Sequence, residues 1–128
     1  MATRNQYTDY VLELLEPIGK MRTSPFFGGT GIYNGSTQFA MVMGSTLYLV
    51  VDKASRAKYE QAGMDPFSYL TKNGRVQVRR YFELPDDVLN DPQRLRQWVF
   101  EAMDISIRVK TTTRGVGSNS DLPPESNR

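Results

Sequence analysis

Apolar and polar positions along this chain change their period several times, and each change marks an element. Over residues 5–16, and on to Ile18, the apolar side chains Tyr7, Tyr10, Val11, Leu14, Leu15 and Ile18 recur at steps of three and four. That spacing predicts an amphipathic helix. Asn5 is placed to cap it, because its side-chain oxygen can accept an orphan N–H of the first turn. Asp9 and Glu13 fall on the wet face. Pro17 has no N–H to donate and Gly19 follows, so the helix is expected to stop there.

Between Phe26 and Val51 the period drops to two. Ile32 and Tyr33 close one strand, and Asn34 with Gly35 reads as a type I′ hairpin turn, whose two central residues need positive φ. Thr37–Met43 make a second strand, Gly44 and Ser45 a type II′ turn, and residues 46–51 a third strand rich in β-branched and aromatic residues. In the second strand, Phe39, Met41 and Met43 are expected on one face and Gln38, Ala40 and Val42 on the other. In the third, Leu47, Leu49 and Val51 alternate with Tyr48 and Val50. Both faces come out apolar, which predicts that a partner subunit covers part of the second.

The flanking stretches complete the pattern. Residues 20–27 are expected to lead into the sheet as an extended segment, with Pro25 excluded from a central strand for want of an N–H. Asp52 caps a second helix over residues 53–62, which Gly63 ends. Residues 67–71 and 76–83 form a second hairpin around Asn73 and Gly74. Pro85, Asp86 and Asp87 start a short helical turn. Asp91 and Pro92 start the last helix, with Leu95, Trp98, Val99, Ala102, Met103 and Ile105 along one face. From Arg108 the composition shifts to Thr, Arg, Gly, Ser, Asn and Pro, which predicts a disordered basic and polar tail over 108–128 after a domain over 1–107. The class expected is α+β: a two-layer, five-stranded, mainly antiparallel sheet, built from a three-strand meander plus a hairpin, with helices mainly on one face.

Composition narrows the chemistry. The 128 residues include no cysteine and no histidine, so disulfides, thiolate sites, Ser-His-Asp sites and histidine metal sites are excluded within the chain. No catalytic residue, metal or cofactor is expected. The net charge of +2 is uneven: residues 1–107 carry 12 basic and 12 acidic side chains, and residues 108–128 carry four basic against two acidic. The neutral folded part gives little support to non-specific nucleic-acid binding. The first ten residues lack an apolar run behind a basic start, and nothing approaches the ~18–20 apolar residues of a span. A soluble, cytoplasmic protein without membrane contact is expected.

Three stretches hold the candidate site residues. Lys72, Arg75, Arg79 and Arg80 on the second hairpin, with Tyr69 and Tyr81 nearby, form a basic and aromatic surface suited to nucleic acid or an acidic protein. A solvated, charge-protected edge is the plainer reading. The run Gly28, Gly29, Thr30, Gly31 could cradle a phosphate, but it lacks a Walker lysine and does not open a helix, so a bulge or tight crossing is preferred. Asp86, Asp87 and Asp91 are read as first-turn helix acids and not as a cation site, and Trp98 as packing.

Several segments then carry a resemblance. Phe26-Phe27-Gly28-Gly29-Thr30-Gly31-Ile32-Tyr33, Leu47-Tyr48-Leu49 with Asp52, Ala62-Gly63 with Pro66-Phe67, and Tyr81-Phe82-Glu83-Leu84-Pro85 with Asp91 and Trp98 together resemble the TfoX N-terminal domain family of bacterial competence regulators. The likeness runs over residues 5–103. It implies a two-layer α+β fold like that of secretion chaperones, and pairing as homodimers. It also implies a non-enzymatic regulatory role through protein–protein contact, in transcriptional or competence-like regulation. In that family's pattern Phe26, Phe27, Gly28, Gly29, Gly31 and Tyr33 form a motif of structural character. The alternative is a nucleic-acid-binding protein that uses the Arg79 and Arg80 hairpin and the basic tail.

Overall fold

The computed structural model describes residues 6–116, with side chains through Arg108. Asn5, the expected cap of the first helix, lies outside the described residues, as do residues 117–128. The elements in chain order are α1 (Gln6–Leu15), β1 (Arg22–Phe26), β2 (Gly29–Asn34), β3 (Thr37–Met43), β4 (Thr46–Val50), α2 (Lys53–Gln61), β5 (Pro66–Thr71), β6 (Gly74–Glu83), α3 (Asp86–Leu89) and α4 (Pro92–Val116). Helix α4 thus crosses the boundary that composition set at Arg108.

The strands form one sheet of six in the order β1-β2-β3-β4-β6-β5, with every neighbouring pair antiparallel. The α+β class holds, and the expected five strands become six. The added strand is β1, which the sequence presents as a lead-in. It pairs with β2 from Arg22 opposite Tyr33 to Phe26 opposite Gly29. Pro25 lies inside it. Because β1 is an edge strand, the missing N–H of Pro25 can face away from the ladder at no cost.

Two details of the meander differ from expectation. A register shift between Ile32 and Tyr33 on β2 puts Ala40 opposite Ile32 and Gln38 opposite Tyr33, leaving Phe39 as the extra residue. A bulge of this kind resets side-chain alternation. Phe39 therefore joins Ala40 and Val42 in the helix-covered core, while Met41 packs in the second cluster with Met43 against it. The turns also differ. Asn34 pairs with Thr37, so the central residues of that hairpin are Gly35 and Ser36, and of these only Gly35 has positive φ, at 66°. The hairpin with two positive φ values is the one joining β1 to β2, at Phe27 and Gly28, with φ of 46° and 84°.

Helix starts follow the sequence closely. Asp52 Oδ1 accepts the Ser55 N–H at 2.8 Å, and Ser55 Oγ accepts the Asp52 N–H at 3.0 Å, a reciprocal box at the start of α2. Asp91 Oδ1 accepts from the N–H groups of Gln93 and Arg94 at the start of α4. Asp86 and Asp87 sit in the first turn of α3.

The main core lies between the helices and one face of the sheet. Val11 and Leu15 of α1, Tyr59 of α2, Val88 and Leu89 of α3, and Leu95, Trp98, Val99 and Ala102 of α4 pack on Ile32, Val42, Leu47, Leu49 and Phe82. Burying each large apolar side chain contributes about 1.5–3 kcal/mol before entropy is charged against it. Trp98 is an anchor, as expected. Its ring meets Tyr59 edge-on at 4.8 Å, and Lys58 Nζ sits 4.2 Å from its centroid while bonding Glu101 at 2.7 Å. The other face of the sheet carries a smaller cluster of Met41, Val50, Val78 and Tyr81, which Ile105 of α4 joins.

The sheet curls toward that second face. Phe26 on β1 and Tyr81 on β6 have ring centroids 6.4 Å apart, though four strand-to-strand steps separate their strands. A flat sheet would hold those strands roughly 19 Å apart.

Candidate functional site

The concave second face collects the aromatic and methionine side chains that the helices do not cover. Phe26, Met43, Tyr48, Phe67 and Tyr69 are only half-buried there, packed around the smaller cluster. Their placement follows from register. Gly31 stands opposite Met41, Met41 opposite Tyr48, Tyr48 opposite Glu83, and Val50 opposite Tyr81. Cross-strand partners share a face, so this row of pairs carries one surface across four strands. On the far side Phe67 pairs with Val78 and Tyr69 with Val76. Tyr48 and Phe67 meet edge-on at 5.3 Å, which joins the β5–β6 hairpin to the meander.

Within this face lies a cleft of about 210 Å³. Phe26, Phe27, Met41 and Met43 form one wall, and Phe67, Tyr69, Val78 and Tyr81 the other. Phe27 is 56% exposed at the mouth, and its ring stacks edge-on with Phe26 at 4.7 Å.

The glycine motif builds the near wall. Gly28 supplies the second positive φ of the β1–β2 turn. Gly29 lies against β3, with no room for a side chain between it and Val42 and Met43. Gly31 is buried, and a Cβ there would come within 3.0 Å of the Gln38 side chain. Tyr33 sits apart from the cleft, with the Arg22 guanidinium 4.7 Å from its ring centroid. The structure therefore brings Phe26 and Phe27 to the cleft, uses Gly28, Gly29 and Gly31 to shape the strands beneath it, and leaves Tyr33 outside.

Of the four basic candidates on the β5–β6 hairpin, Lys72, Arg75 and Arg79 are exposed and two have local partners. Lys72 is exposed in the β5–β6 turn. Arg75 Nη1 donates to Ser68 Oγ at 2.7 Å, and Arg79 pairs with Glu60 of α2 at 3.5 Å. Arg80 is half-buried, and its carbonyl accepts the Val51 N–H at 2.8 Å. Between Pro66 opposite Phe82 and Phe67 opposite Val78, β6 carries an irregular stretch that includes both Arg79 and Arg80. The strict alternation of a regular strand does not apply there.

Electrostatics near the face centre on acids. Burial pushes the Glu83 carboxyl above its ordinary range, and the charges of Asp86 and Asp65 push the same way. Burial likewise raises the Tyr48 phenol, with Glu83 and Asp65 adding to it. At the other end of β4, the Ser55 backbone bond holds the Asp52 carboxyl below its ordinary range against its partial burial, and Arg108 adds to that from 3.5 Å. These acids cap helices and border a sheet face.

The cleft residues Met41, Met43, Phe67 and Val78 were not singled out by sequence as a site. The available signal was the second apolar face of the meander, visible in the alternation of Leu47, Leu49 and Val51 with Tyr48 and Val50.

Comparison with known proteins decides the family. The TfoX N-terminal domain matches residues 13–106. The chain belongs to the TfoX N-terminal domain family. Among its relatives, the DNA transformation protein TfoX1 of Aliivibrio fischeri is 27% identical over 92 residues, 72% of this chain and 44% of that protein. The DNA transformation protein TfoX of Haemophilus influenzae is 24% identical over 127 residues, 96% of this chain and 58% of that protein. The chain spans about half the length of these curated TfoX relatives. The family match covers α2 through α3, every strand, the end of α1 and most of α4.

Proposed function

We propose that this TfoX N-terminal domain is a non-enzymatic, cytoplasmic regulatory domain that acts through protein–protein contact, in competence-like regulation, and that it pairs as a homodimer. One observation carries the contact part. The second sheet face, to which α4 contributes Ile105, is apolar, and around its buried centre Phe26, Met43, Tyr48, Phe67 and Tyr69 stay half-exposed. Contiguous apolar surface of this kind marks an interaction site far more often than scattered single residues do. A second copy of the chain offers the same patch, and self-complementary pairing about a two-fold axis is the commonest solution. The regulatory part is supported by the names of the TfoX relatives, which are DNA transformation proteins. The balanced charge of residues 1–107, 12 basic against 12 acidic side chains, favours a protein over nucleic acid as the partner.

Cross-linking tests this directly, because the chain has no cysteine of its own. A Tyr48→Cys variant places a lone thiol on the face, and Gln97→Cys places one on the outer surface of α4. A short bis-maleimide is expected to join two Tyr48→Cys chains and to leave Gln97→Cys as single chains. Equal cross-linking of both variants, or of neither, would overturn the contact.

A further inference from the structure

The uncovered face sinks at its centre into the cleft between β1, β3, β5 and β6. We propose that this cleft is a binding site for a small, uncharged aromatic molecule of one to two rings. The proposal rests on the reading above only in treating this face as the working one, and it needs no second copy of the chain.

Size sets the first limit. An apolar cavity of about 150 Å³ is enough to hold benzene. The cleft, at about 210 Å³, has room for one ring with a substituent or a fused second ring. Charge sets the second. No Asp, Glu, Lys or Arg is among the eight lining residues, so a charged ligand would lose hydration without a charged side chain of the lining to meet it. The rings of Phe26, Phe67 and Tyr81 offer edges and faces for stacking. Met41 and Met43 are unbranched and polarisable, and they adapt to an imperfect fit.

Phe27 adds an independent observation. Among the described residues it is the one non-glycine with positive φ, at 46°. L-residues other than Asn and Asp adopt that conformation at a cost in stability. Asn would take the position with less strain and would make an Asn-Gly turn, the preferred pair for this geometry. The turn instead carries an aromatic ring, held 56% exposed at the mouth of the cleft. Strain kept in place by an exposed ring points to a ligand that the ring meets.

The test uses the full chain with methyl-labelled methionine and indole as the probe. Met41 and Met43 line the cleft, while Met21, Met64 and Met103 pack in or against the helix-side core. Indole is expected to shift the Met41 and Met43 methyl resonances saturably, with a Kd on the order of 1 mM for so small a ligand. Indole-3-carboxylate, which keeps the ring and adds a charge, is expected to bind at least about tenfold more weakly. Phe27→Asn is expected to weaken indole roughly three- to tenfold, as loss of one aromatic contact would, without lowering the melting temperature. Shifts of Met21, Met64 and Met103 as large as those of Met41 and Met43, shifts that fail to saturate, or a carboxylate that binds as well as indole would overturn the proposal. So would a Phe27→Asn variant that melts lower yet binds indole unchanged. A chain that stays monomeric and binds indole removes the dimer and keeps the cleft; a dimer that ignores indole does the reverse.

Discussion

Gly29 on β2 lies directly against the backbone carbonyl of Val42 on β3, so close that no side chain fits between them. The Met43 sulfur closes the same space. This contact sits beneath the wall of the cleft that Phe26 and Phe27 form. It also explains a glycine whose φ is not positive: the requirement here is close approach and not turn geometry. Gly29→Ala is expected to force β2 away from β3 and to cost about 1–3 kcal/mol or more, since a backbone carbonyl cannot swing aside as a side-chain end can. Urea unfolding checks this through the midpoint. The same change at Gly28, which is open around its α-carbon, strains φ without a collision.

The N-terminus of α2 depends on Asp52. Asp52→Ala removes the acceptor for the Ser55 N–H and is expected to cost about 0.5–2 kcal/mol at neutral pH. The pH dependence has a definite sign. The folded pKa of Asp52 is lowered, so its stabilisation is present above the ordinary aspartate value and is lost as the pH falls through the folded value. The gap in thermal stability between the two proteins should therefore close in acid.

Glu83 has the opposite sign. Its folded pKa is raised, first by burial and then by Asp86 and Asp65. Its contribution favours folding below the ordinary glutamate value, near pH ~4.3, and is lost as the pH rises through the folded value. Glu83→Gln is expected to raise the melting temperature at pH 7, with the gain shrinking as the pH approaches 4. A loss at pH 7 would show that the carboxylate makes a favourable contact when charged.

The Tyr59 hydroxyl is buried without a hydrogen-bond partner among the described residues, and burial holds its phenol far above the ordinary range. Tyr59→Phe keeps the rings packed on Trp98 and Phe82 and removes the orphaned group. It is expected to cost less than about 0.5 kcal/mol and to gain up to ~1 kcal/mol. Chemical denaturation of the two proteins decides between this and the loss of ~1 kcal/mol that a bonded hydroxyl would give.

Much of the fold was legible because its signals are local. Asp52, Asp91 and Pro92 mark helix starts by their own chemistry, and Gly63 ends α2 with φ of 81°. Strand β1 was harder to read: its length of five residues and Pro25 suit an edge, and an edge strand is defined by its partner. The side taken by Phe39 was illegible for a related reason, since a bulge depends on how two strands meet. The cleft needed the curl that brings Phe26 to Tyr81, residues 55 positions apart in the chain. The sequence did show that Tyr48 and Val50 give the sheet a second apolar face. It could not show that β1 and the β5–β6 hairpin close over that face from both sides.

Two copies of the chain are proposed to meet through the half-exposed rim of the second sheet face, with Tyr48 in the contact. Sedimentation equilibrium of the full chain beside a Tyr48→Glu variant tests it most directly. The account predicts a dimer at about 10–100 µM that the new charge converts to a monomer, a change of at least ~1.4 kcal/mol or tenfold in association, with the circular dichroism spectrum unchanged. A chain that is monomeric throughout this range, or a dimer that the substitution leaves intact, would contradict it.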